Sequence, residues 1–186
     1  MSKEKGKIQK YNEDRGFGFI NYGKDEIFFH ISDCDFDKIK PGESVEFKIG
    51  QGDKGPKAFN VKIIEDKFTE FLKDNVLNLE DADYDKFCDT VKEYAVNLKD
   101  GGLTTSKIRK IYSRIMNTDS PRELKMLRPQ FAYTAGRNDE SGVQIFMDLL
   151  DYLASKMKNN EENELKNFKT FMESVVAYRK YAGEDN

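Results

Sequence analysis

Cysteine and histidine are scarce in this 186-residue chain, with two of the first and one of the second. Cys34 and Cys88 each lack a neighbouring thiol, and the single His30 four residues before Cys34 does not make a Cys/His ligand set, which excludes a disulfide framework and a Cys/His metal site and leaves two reduced thiols. The lone His30 cannot supply both base and acid for metal-independent strand cleavage, and no Ser/His/Asp set, phosphate-cradling glycine loop or HxxxH pair accompanies it. Catalysis is not expected, nor is a cofactor or a bound metal; the acidic run "DCDFD" from Asp33 to Asp37 reads as a solvated loop. No apolar stretch approaches the roughly 18 residues that cross a bilayer, and "MSKEKGKIQKYNED" lacks the apolar run of a secretion signal, so a cytoplasmic protein without a membrane partner is expected. Excess positive charge is missing too. At a net charge of -3, any grip on a polyanion has to come from local arrangement rather than from a long-range field.

What is present changes period partway along. Up to Ile64, short runs of alternating apolar residues ("KGKIQKY", "FGFINY", "IFFHIS", "SVEFKI", "AFNVKII") are punctuated by Gly and Pro turns, the pattern of a small antiparallel barrel of five strands. From about Lys67 the spacing becomes helical: Tyr84, Phe87, Cys88, Val91, Tyr94, Ala95 and Leu98 form one stripe, and "DGG" stops it. Ser120, Pro121 and Glu123 make a capping box with proline at the first helical position, and helix signals continue to the end, giving about five helices. The expected fold class is multi-domain, all-β plus all-α, with a barrel over residues 1–65 and a helical bundle over residues 66–186. Nothing Gly/Ser-rich lies between Ile64 and Phe68, so a short junction and a restricted relative orientation are expected.

Between Arg15 and Ser32 the chain crowds four phenylalanines, a tyrosine and its only histidine. In a strand, Phe17 and Phe19 share a face, and Phe28 and His30 oppose Ile27, Phe29 and Ile31. Alternation alone allows two outcomes: both faces buried, or an aliphatic face inside and an aromatic face outside as a stacking platform for unpaired bases, left uncrowded by Gly16 and Gly18. Lys7, Lys10, Arg15, Lys57 and Lys62 are candidates for phosphate contact and equally read as solvated surface lysines and arginine.

The order "GKIQKYNEDRGFGFI", "IFFHIS", "GPKAFNV" resembles the cold-shock domain family over about residues 4 to 64. The resemblance implies an OB-type barrel that binds single-stranded RNA or DNA, with Phe17, Phe19, Phe28, His30 and Phe36 as stacking residues and Lys7, Lys10 and Tyr11 beside them. Two family aromatics are replaced. Lys10 stands where the family has a tryptophan, and Ile31 follows His30 where the family has a ring. At roughly 1 to 3 kcal/mol per stacked base, the isolated barrel is expected to bind weakly.

On the helical side, Lys107, Lys110 and Arg114 form one edge of a wheel beside Ile108, Ile111 and Ile115, and Arg109 falls on the far side. Arg179 shares its side with Phe168, Met172 and Val175. A wet face and a partner-binding face look alike at this level. "LTTSKIRKIYSRI", "LRPQFAYTAGR" and "FKTFMESVVAYRKY", in that order over about residues 68 to 182, resemble the small helical subunit of type III-A CRISPR effector complexes, the Csm complexes. That resemblance implies a non-catalytic bundle, several copies of which stack along the complex. It would contact guide and target RNA through Lys107, Arg109, Lys110, Arg128, Arg137 and Arg179 and pack against other subunits. The function expected is an antiviral effector subunit whose barrel binds a single strand; the alternative is a free-standing cold-shock-type RNA chaperone or transcript regulator that uses its helices for oligomerisation.

Overall fold

Alternating residues in the first third of the chain fold into five strands in the computed structural model, which describes residues 3–36, 39, 42–52 and 55–183. Two compact units result, Met1–Asp66 and Lys67–Asn186. In the first, β1 (Lys3–Asn12), β2 (Phe17–Tyr22), β3 (Asp25–His30), β4 (Ser44–Gly52) and β5 (Gly55–Ile63) close into a barrel of order β1-β2-β3-β5-β4. All neighbours are antiparallel except β3 and β5. Each strand has two neighbours in the closed barrel, β3 and β5 meeting only at Phe28 and Lys57, and the inward residues Ile8, Ile20, Ile27, Phe29, Val45, Phe47, Ala58 and Val61 form the core.

One irregularity sets which side chains reach the outside. Ile8 faces Ile20 while Lys10 faces Phe19, so Gln9 is an extra residue bulged out of β1. The bulge reverses the phase of alternation: without it, Ile8 and Lys10 would point the same way. With it, Ile8 is buried and Lys10 is exposed.

The second unit contains seven α-helices among the described residues: α1 (Lys67–Asn75), α2 (Tyr84–Asp100), α3 (Thr105–Met116), α4 (Pro121–Met126), α5 (Arg128–Arg137), α6 (Ser141–Lys156) and α7 (Glu162–Tyr181). The two beyond the expected five have plain causes. The short α1 buries only Thr69 and Leu72, too brief a stripe to stand out in the sequence. The segment read as one helix after Ser120 divides at Leu127, because Pro129 has no N–H to donate and its ring opposes the carbonyl four residues back; proline fits only in the first turn of a new helix. Side-chain caps begin three of the helices. Asp83, Thr104 and Ser120 accept from the backbone N–H of Lys86, Lys107 and Glu123, each worth about 1 kcal/mol. The Glu123 carboxylate reaches back to the Asp119 N–H at 2.8 Å rather than to that of Ser120.

The end of α2 and the start of α6 approach closely at Gly101 and Gly142. The Gly142 N–H donates to the Gly101 carbonyl at 2.8 Å, and a Cβ on Gly142 would sit 2.4 Å from the Leu98 carbonyl oxygen. No side chain fits there. Packed inside the bundle are Phe87, Tyr94, Phe131, Phe146, Phe168 and Phe171, all nearly or wholly inaccessible.

Candidate nucleic-acid interface

The outer face of the barrel is built from cross-strand rows. One row runs Lys10, Phe19, Phe28 and Lys57 across β1, β2, β3 and β5; the next runs Asn12, Phe17 and His30. Phe17, Phe19 and Phe28 form a cluster with centroids 5.7 to 6.3 Å apart, two of the three pairs edge-on and the Phe17–Phe28 pair tilted by 31°. All three rings are partly exposed, whereas Ile27 and Phe29 on the opposite face are buried. Of the two outcomes left open by alternation, the aliphatic-in, aromatic-out arrangement is the one that forms.

The polar groups around the rings are held in place. The Lys10 ammonium lies 4.8 Å from the Phe19 centroid, a cation–π contact that sets a charge at the edge of the ring cluster. His30 Nδ1 accepts from the Ser32 N–H at 3.2 Å and lies 2.8 Å from the Ser32 hydroxyl. Both contacts hold the ring through Nδ1. Lys57 pairs with Asp33 at 2.6 Å and lies 5.0 Å from the Phe59 centroid. Beside Phe28 opens a groove of about 520 Å³ lined by Gln51, Pro56, Lys57 and Phe59. Phe59 and Pro56 were not anticipated as part of this face; the inward Ala58 between Lys57 and Phe59 was the signal that both neighbours point out.

Not every expected residue joins the platform. Tyr11 lies across from Gly18 with its ring stacked on buried Phe29 at 6.1 Å and 14°, on the inner side of the sheet. The Gln9 bulge put it there. Gly18 likewise faces inward: a Cβ would meet the Lys10 carbonyl oxygen at 2.4 Å and the Phe29 ring at 2.6 Å, so this glycine admits the core ring rather than clearing the platform. Phe36 packs half-buried against the barrel core. Lys7 is exposed, one row beyond the rings beside Asn21 and Glu26. In the acidic loop, Asp33 and Asp35 pair with Lys57 and Lys62, and Asp37 lies outside the described residues.

In the loop, the Cys34 thiol donates to the His30 carbonyl at 3.6 Å. Burial, with the nearby carboxylates of Asp33 and Asp35, pushes it up to about 11. It is a poor nucleophile at neutral pH.

The bundle's cations fall into three states. Arg109 and Lys110 are exposed on α3. Arg128 makes a two-pronged pair with Asp151 at 2.8 and 3.1 Å, which raises its already high pKa; Lys107 pairs with Glu140 at 2.6 Å and holds that carboxyl below its usual range. Arg137 donates to the hydroxyl of Tyr133, itself 64% exposed. Arg179 belongs to a third kind. It is 2% exposed, and its guanidinium donates to the carbonyls of Leu103 at 2.8 Å and Gly183 at 3.0 Å. That cation ties the end of α7 to the α2–α3 loop, and of the expected RNA contacts it alone is turned inward.

Known proteins divide the chain in the same way. Residues 4–64 match the family described as the "Cold-shock" DNA-binding domain, and residues 81–185, more than half of the chain, match Csm2 Type III-A. The protein belongs to the Csm2 type III-A family and carries a cold-shock domain ahead of its helices. The barrel is 46% identical over 66 residues to the cold shock-like protein CspE of Buchnera aphidicola subsp. Acyrthosiphon pisum, an alignment covering 33% of this chain and 96% of that protein. It is 42% identical over 69 residues to CspC of Escherichia coli K12, covering 34% and 100%. A solved structure described as drosophila Unr CSD456 aligns at 26% identity and a TM-score of 0.31 over 36% of this chain and 28% of its own, a likeness too slight to bear on function.

Proposed function

We propose that the protein is a non-catalytic RNA-binding small subunit of a type III CRISPR effector complex. Its bundle contacts the guide or target RNA backbone and its barrel binds a single strand. The observation that carries the barrel's part is the exposed Phe17–Phe19–Phe28 cluster flanked by Lys10 and His30. Rings on a sheet surface accept any base on their faces and leave sequence choice elsewhere, which suits a complex in which pairing to a guide supplies specificity. Support for the bundle's part is the family membership together with Arg109, Lys110 and Arg137 on the surface.

The magnitudes favour Arg128 and Lys107 as contacts as well. An exposed ion pair is worth under about 1 kcal/mol, so a phosphate competes with Asp151 or Glu140 at little cost. Arg179 is not among the proposed contacts. Joining a weak barrel and a weak bundle on one chain raises the effective concentration of the second site once the first is bound. The test is isolation from the native host under gentle conditions. Recovery with guide-RNA-bearing Csm components is expected; recovery alone, with duplex-melting activity in vitro, would instead establish the free-standing chaperone.

A further inference from the structure

Register carries the outer face of the barrel onward from the rings. Phe28 lies across from Lys57, Phe59 across from Lys48, and Lys48 across from Lys3. The row behind sets Lys5, Glu46 and Lys62 abreast. Here β5 carries one more residue than β4 between paired positions, and Asn60, at a left-handed φ of 52°, takes up the excess. The distortion opens a hollow of about 130 Å³ bordered by Lys3, Glu46, Lys48, Asn60 and Lys62. Two ion pairs form, Lys3 with Glu46 at 2.6 Å and Lys62 with Asp35 at 3.1 Å, and Lys5 and Lys48 add two further positive charges. Glu46 feels the excess: the Lys3 hydrogen bond, with the fields of Lys3, Lys5 and Lys62, holds its carboxyl below the usual range.

We propose that this cluster is a second backbone-binding area, occupied by the same single strand after it leaves the ring platform. The inference rests on the barrel being a single-strand binder. Two observations select a polynucleotide as the occupant. The cluster is positive in a chain whose net charge is -3, and it is continuous with the platform, because Phe59 shares the groove with Phe28 and is the cross-strand partner of Lys48. From Phe28 on β3, Lys3 lies three strand spacings away, about 14 Å at about 4.8 Å each. Lys48 lies two spacings away and offset along the strand, and Lys62, one spacing away, is five residues beyond Lys57 along β5, about 16 Å at about 3.3 Å each. A strand just long enough for the rings therefore does not reach the lysines.

The test measures affinity of the full chain for labelled oligouridylates of about 4 and about 12 nucleotides, both within the range of footprints of single OB barrels. Replacing Lys3, Lys48 and Lys62 together by glutamine should weaken the longer ligand about tenfold, leave the shorter unchanged, and flatten the salt dependence of the longer by about 2, at roughly 0.7 per lost phosphate contact. The matching triple arginine variant should bind as the parent does. Unchanged affinity for the longer ligand, or equal losses at both lengths, overturns the second area. Phe17→Ala with Phe28→Ala separates the two failures: losses at both lengths while the lysine variant stays silent leave the platform standing, and no loss from either variant removes the platform too.

Discussion

The barrel and the bundle both engage cations with carboxylates and with ring faces, and they differ in what stands beside those cations. On the barrel, Lys10 and Lys57, the latter also paired with Asp33, rest on phenylalanine faces beside the exposed cluster of Phe17, Phe19 and Phe28. In the bundle, Arg128 and Lys107 are engaged by carboxylates and Arg179 by backbone carbonyls. The lesson is that charge alone does not mark a nucleic-acid surface. A ring platform offers contact that salt does not screen, whereas an exposed cation contributes only what remains after its internal partner is displaced.

The largest expected effect breaks the barrel side of this contrast. Phe17→Ala with Phe28→Ala should lower affinity for single-stranded RNA by at least about 30-fold, given about 1 to 3 kcal/mol per stacked base, with a thermal midpoint within a few degrees of the parent because both rings lie outside the core. Fluorescence anisotropy and a melting curve check it. Next is Arg179→Met, which strands the Leu103 and Gly183 carbonyls and should destabilise the bundle by about 2 kcal/mol in urea unfolding. An arginine that held RNA instead would leave stability intact and flatten the salt dependence of binding.

A smaller shift sharpens the bundle side. Asp151→Asn frees Arg128 from its pair and should strengthen RNA binding a few-fold, by no more than the roughly 1 kcal/mol that an exposed pair is worth. Weaker binding would mean that Arg128 acts only as a structural tie. Smallest is the behaviour of Cys34, whose alkylation should be slow at neutral pH and should climb toward about pH 11 instead of levelling near 9.0. The sign for stability follows. The unfolded thiol ionises first, so the barrel keeps this contribution below about pH 9 and loses it as pH rises toward 11.

How much of this was legible beforehand differs between the units for a physical reason. In strands, period two places a residue on one face or the other, and Phe17, Phe19, Phe28 and His30 were placed correctly by alternation with Ile20, Ile27 and Phe29. Tyr11, expected beside the platform from the family resemblance, faces inward because a single bulged residue, Gln9, inverts the alternation of β1 and leaves no local trace in the sequence. Helical periodicity found the apolar stripes of α2, α3 and α7 equally well, whereas the division at Leu127 and Pro129 into two helices in place of one needed the structure. What periodicity could not reveal was the partner of each cation. Asp151 lies 23 residues from Arg128, and the Leu103 carbonyl 76 from Arg179. Such pairings are set by tertiary packing, so an arginine on an apolar stripe read as a snorkelling or binding group when its role is to bridge two loops from within.

Ultraviolet crosslinking of single-stranded RNA to the full chain, with the modified peptides identified by mass spectrometry, bears most directly on whether barrel and bundle hold one polynucleotide. Adducts on the peptides containing Phe17, Phe19 and Phe28, together with adducts near Arg109, Lys110 or Arg137, are the expected result. Adducts confined to the helices, with the barrel rings unmodified, would contradict it.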